Sequence, residues 1–141
     1  MDPRRVLIVA NQTAGGTHLM EAVRARLGSG PCRFMLLVPA TPPPDHATWT
    51  EGEARALAQE RMESALESLR GIGAEIEGVV GDHRPVNAIA DLLIERPQDE
   101  VIVSTLPIGV SRWLKQDLPH KIEKAFGLPV THVVAEPARK H

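Results

Sequence analysis

The chain of 141 residues has no tyrosine, two phenylalanines and two tryptophans. With so few rings each is expected in the core, so Trp113 is read as packing, not as stacking on a base. A single cysteine, Cys32, excludes an internal disulfide and a Cys-based zinc site. No apolar run reaches the roughly 20 residues that a membrane-spanning helix needs. Neither sign of charge prevails, since 16 Lys and Arg stand against 18 Asp and Glu for a net charge of −2. Without a basic excess there is little to neutralise a phosphate backbone, so neither nucleic acid nor a membrane is expected as partner. The first residues lead into a short apolar run with no cleavage signature, and the chain is read as cytoplasmic.

What is present is an ordinary globular balance, 43% hydrophobic and 24% charged. The length suits one domain over residues 1–141. Short apolar runs of strand length alternate with segments of helical periodicity. Strands are expected at 5–10, 32–38, 74–80, 100–104 and 130–134. Helices are expected at 16–27, with Thr17 as N-cap, and at 51–70, where Thr50 and Glu53 fit a capping box and Gly71 closes the last turn. Two more are expected at 85–95 and at 111–126, the last interrupted near Pro119. Five strands alternating with four helices imply an α/β three-layer sandwich, a mostly parallel sheet with helices on both faces. Right-handed crossovers then gather the carboxyl ends of the strands along one edge, where ligands bind in such folds.

The candidate chemistry is sparse. The loop after the first strand, Asn11-Gln12-Thr13-Ala14-Gly15-Gly16-Thr17, has glycines that allow close backbone approach to a ligand. It has neither the Gly-x-Gly-x-x-Gly spacing of a dinucleotide site nor the lysine of a P-loop. The places where a response-regulator receiver needs acidic residues and a lysine hold Asn11 and Ala135-Glu136. His18, His46, His83, His120, His132 and His141 are scattered singly, without metal-ligand spacing. No Gly-x-Ser-x-Gly elbow is present. Asp82 in Asp82-His83-Arg84 is expected to cap the helix that begins at Pro85. No catalytic residue and no metal ligand is assigned.

The order of elements and the closing third of the chain resemble the universal stress protein family. The resemblance runs over residues 5–135. It is carried by the first strand, by Gly81-Asp82 after the third, by Val101 to Ser104, by Gly109-Val110-Ser111-Arg112-Trp113-Leu114, and by Leu128-Pro129-Val130 before Val133-Val134. It implies strand order 3-2-1-4-5 and a homodimer. ATP-binding members carry Gly-x2-Gly-x9-Gly-[Ser/Thr] after the fourth strand. In register, this chain has Val103, Leu106 and Gln116 for the glycines and Asp117 for the hydroxyl residue, and Asn11 stands where the family has an acid.

Those departures suggest that the carboxylate of Asp117 caps the last helix and fills the family's anion site itself. The expected function is binding or association without the ATP motif, and without catalysis. Pairing would run along the fifth strand, where Val130, His132 and Val134 share one face. The alternative is a rebuilt pocket for ATP or AMP at Asn11, Gln12, Thr13, Gly15, Ser104, Thr105, Gly109, Ser111 and Arg112. A further alternative is a nucleotide-processing enzyme, on analogy of fold alone. The proline-rich stretch at 41–46 is read either as a lid carrying His46 or Trp49, or as a stiff connection.

Overall fold

Val6, Leu7, Ile8 and Val9 are all fully buried, so the first strand, β1 (Arg4–Val9), is apolar on both faces. That is the signature of a strand inside a parallel sheet covered on both sides. In the computed structural model, which describes residues 3–11, 13–40, 50–106, 112–115 and 117–135 (for Arg112 and Lys115 the backbone alone), β1 is the central strand. Around it run α1 (Thr17–Ser29), β2 (Cys32–Pro39), α2 (Glu51–Gly71), β3 (Ile76–Gly81), α3 (Pro85–Glu95), β4 (Glu100–Thr105), α4 (Arg112–Lys115), α5 (Leu118–Phe126) and β5 (Val130–Val134). All four strand pairings are parallel and the sheet order is β3-β2-β1-β4-β5, as expected from the sequence.

Each face of the sheet has its own core. Val6, Ile8, Leu36, Val38 and Ile102 pack with Leu19 and Val23 of α1 and with Ala58, Ala65 and Leu69 of α2. Leu7, Val9, Leu37, Val101 and Val103 pack with Ile89 of α3, Trp113 of α4, and Leu118 and Ile122 of α5. Trp113 is thus a core residue. Cys32 is half-buried and packs against the α1–α2 core, and burial raises its thiol pKa. Two glycines allow close packing on opposite faces of β3. A Cβ at Gly78 would come within 2.8 Å of the Met62 side chain on α2, and one at Gly81 within 2.9 Å of Ala88 Cβ on α3 and of Leu37 Cδ1.

Several local expectations need correction. Thr17 is the first residue of α1 and not its cap; Gly16 is the N-cap and supplies no side chain. Thr50 does cap α2, its Oγ1 accepting from the Glu53 amide at 3.1 Å. Gly71 lies inside α2, and it is Gly73, at φ 96°, that takes the left-handed turn after it. The segment expected as one interrupted helix is two, with the break ahead of Pro119. The proline has no amide for the carbonyl of Lys115, four residues back, and its ring would collide with it, so α4 stops at Lys115.

Among the described residues no helix is long and apolar enough to cross a membrane.

Candidate functional site

Strand order reverses between β1 and β4, because β1 connects toward β2 on one side while β3 crosses over to β4 on the other. The crevice beyond the carboxyl ends of these two strands is the place where open α/β sheets hold ligands. The structure brings Asn11, Thr13 and Ser104 together there. Thr13 and Ser104, both almost fully buried, have their hydroxyl oxygens 2.6 Å apart. This contact ties the loop after β1 to the end of β4. A hydroxyl pair uses one O–H for its mutual bond and keeps the other for a further acceptor.

Asn11 is also buried. Its Nδ2 donates to the Pro39 carbonyl at the end of β2, at 2.6 Å. Its Oδ1 accepts from Nη1 of Arg61, which reaches over from α2. Among the described residues Arg61 has no carboxylate within ion-pair distance. Burial lowers its pKa from the usual arginine value, and the nearby charge of Glu60 pushes the other way. Between the two walls, Asn11, Ala14 and Gly15 on one side and Glu60, Arg61 and Ser64 on the other, lies a pocket of about 290 Å³.

Thr105 does not join this group. Side chains alternate along β4, so Thr105 shares the face of Val101 and Val103, toward α5, while Ser104 shares that of Ile102, toward α1. There Thr105 Oγ1 lies 2.7 Å from His132 Nε2 on β5. Burial lowers the imidazole pKa from its ordinary 6.5, which favours the neutral ring as acceptor of the threonine hydroxyl. Thr105 is 2% exposed, and among the described residues no carboxylate orients the other ring nitrogen. This makes a cross-strand hydrogen bond and not an accessible nucleophile with its base. Of the remaining candidates, Gly15 sits in the turn before α1 and Arg112 opens α4. Gln12, Gly109 and Ser111 lie outside the described residues, as do His46 and Trp49 of the suggested lid.

Two charged residues act differently from expectation. Asp117 precedes α5, but its backbone is left-handed (φ 56°, ψ 44°) and its side chain makes no capping hydrogen bond. An N-cap needs an extended backbone to fold its side chain back over the first amides. The expected filling of an anion site by this carboxylate is therefore absent. Asp82 does not cap α3 either. Arg84 is the N-cap, and Asp82 Oδ1 accepts from the Arg84 amide at 2.8 Å and from its Nε at 3.1 Å. The Arg84 side chain first, and then its amide, hold the Asp82 carboxyl down to about 2.

Arg61 was not singled out in the sequence, although a signal for it exists. It lies three residues after Ala58 and four before Ala65, on the apolar stripe of α2. A charged residue on a core stripe has to find a polar partner.

No protein-family model matches this chain, and no curated protein does. Solved structures do. A universal stress protein from Archaeoglobus fulgidus superposes with a TM-score of 0.61 at 14% identity, over 92% of this chain and 93% of that one. The universal stress protein from Archaeoglobus fulgidus in complex with dAMP gives 0.61 at 18% identity, over 94% and 98%. A universal stress protein in complex with cAMP gives 0.61 at 17% identity, over 96% and 100%. The fold of this chain is the universal stress protein fold.

Proposed function

We propose that the chain is a small regulatory domain that binds a nucleoside monophosphate at the carboxyl edge of its sheet, without the glycine motif, and that it works as a homodimer. The observation that carries the ligand reading is the meeting of Asn11, Thr13 and Ser104 at the reversal of strand order. Three polar residues buried at the usual ligand edge of such a sheet supply donors and acceptors for a small polar molecule. The Asp117 side chain does not cap α5, which removes the argument that this carboxylate fills the anion site. Two proteins of the same fold are bound to adenine monophosphates, dAMP and cAMP. Val103, Leu106 and Gln116 in place of glycines speak for a site arranged differently from the triphosphate motif.

Dimerisation is supported by β5. Among the described residues it pairs only with β4, so its outer edge offers backbone donors and acceptors, and His132 on it is exposed. Val130 and Val133 pack inward on opposite faces, which leaves the edge itself as the surface for a second copy.

Isothermal titration calorimetry with AMP, cAMP and ATP tests the ligand. Saturable binding of a monophosphate at micromolar concentration is expected, with ATP weaker; no heat from any of the three at millimolar concentration would refute it. Sedimentation equilibrium tests the assembly, and a monomer at 10-fold above micromolar loading, on the order of 10 μM, would refute the dimer.

A further inference from the structure

We propose that Arg61 and Ser64 of α2, with the backbone at Gly15, form an anion subsite that takes the phosphate group of the ligand on the α2 side of the crevice. A partly buried guanidinium loses some of its hydration, and a neutral amide oxygen compensates that only in part. Arg61 has only Asn11 Oδ1 within hydrogen-bond distance among the described residues. Among the described residues four of its five N–H donors have no partner, which suits a planar, bidentate contact with an anion. The pocket beside it, at about 290 Å³, has room for a phosphate group and its first waters.

The walls of this pocket fit the same ligand. Ser64 stands one turn after Arg61 on α2, so the two side chains project on the same side. Opposite them, no described residue comes within 4 Å of the place where a Cβ of Gly15 would stand, which suits close approach of a ligand to its backbone. Glu60 also lines the pocket and is exposed. Its carboxylate opposes an anion there, so the phosphate has to be held by the Arg61 guanidinium against that repulsion, which water at the exposed mouth screens. Asn11 holds the arginine in place through Oδ1 while Pro39 fixes the amide through Nδ2. The guanidinium is thereby oriented before any ligand arrives, which lowers the entropic cost of binding.

The inference rests on the proposed nucleotide reading only for the molecule that carries the phosphate. Calorimetry on the full chain with AMP, adenosine and inorganic phosphate separates the two. Arg61→Gln is expected to weaken AMP at least tenfold and adenosine far less, since the change also releases Asn11 Oδ1. Gly15→Val, which puts bulk into the pocket from the opposite wall, is expected to do the same and serves if Arg61→Gln does not fold. Equal AMP affinity in wild type and in a folded variant of either kind overturns the subsite and leaves the nucleotide reading standing. If wild type binds neither AMP nor adenosine, the nucleotide reading falls. Phosphate then decides: a rise in Tm with phosphate that Arg61→Gln abolishes upholds the subsite, and no such rise overturns it too.

Discussion

Arg26, in the last turn of α1, donates from Nε to Oε1 of Glu100 at 2.7 Å, and from Nη2 of the same guanidinium to Thr131 Oγ1 at 2.9 Å. Arg4 of β1 donates to the other oxygen of Glu100. A single carboxylate, 6% exposed at the first residue of β4, thus joins β1 and α1, and through Arg26 reaches β5, at the edge of the sheet away from the candidate site. Desolvation raises the Glu100 pKa, but the hydrogen bonds from Arg4 and Arg26 outweigh it and the net shift is downward from the ordinary 4.5.

Glu100→Gln should therefore cost about 1.5–3 kcal/mol at neutral pH, the range for hydrogen bonds to charged groups. The pH dependence has a definite sign. A carboxylate with a depressed pKa contributes stability above its unfolded value, here about 4.5, and loses it as pH falls through the folded value. Urea unfolding of wild type should weaken below pH 4.5, and the variant should show a flatter acid limb. Identical acid limbs would show that Glu100 is not a source of the dependence.

Asp82 offers a spectroscopic check in an exposed turn. Its carboxyl carbon should titrate at about 2, held down by the Arg84 side chain and then by the Arg84 amide. In Arg84→Gln the midpoint should move part of the way back toward 3.8, because the amide bond survives the substitution. A full return would mean that the amide contributes nothing.

The two glycines of β3 should respond unequally to alanine. At Gly81 the new methyl meets Ala88 Cβ and Leu37 Cδ1 at 2.9 Å, neither on a long flexible stem. Destabilisation of about 1–3 kcal/mol is expected, the usual range for overpacking. At Gly78 the obstacles are Met62 Cγ and Sδ at 2.8 Å and Leu66 Cδ1 at 3.0 Å, and a methionine can swing aside. Denaturant midpoints should fall further for Gly81→Ala than for Gly78→Ala; the reverse order would contradict this packing account.

Much of the fold was legible because its causes are local. Runs such as Val6 to Val9 and Val101 to Val103 have side chains buried on both faces, which marks strands of a parallel sheet without reference to distant partners. Helix α3 matches its expected bounds because Pro85 opens it and Pro97 follows its end. The site was harder to read because its contacts are remote in sequence. Arg61 meets Asn11 across 50 positions, and Ser104 meets Thr13 across 91. Thr105 adjoins Ser104 in the sequence, but adjacent residues of a strand face opposite sides. Asp117 departs from its expected role for another reason. Residue type suggests a cap, but the chain breaking ahead of Pro119 puts Asp117 in a left-handed turn, a conformation that aspartate tolerates and in which its side chain makes no capping hydrogen bond.

The most direct test of the ligand claim is a titration of the isotopically labelled chain with AMP, followed by backbone amide shifts. The account predicts saturable shifts for Asn11, Thr13, Gly15, Ser104 and Arg61, at the carboxyl edge of β1 and β4, while Arg4, Arg33 and Glu100 at the opposite edge stay in place. Shifts confined to the opposite edge, or none with AMP in millimolar excess, would contradict it.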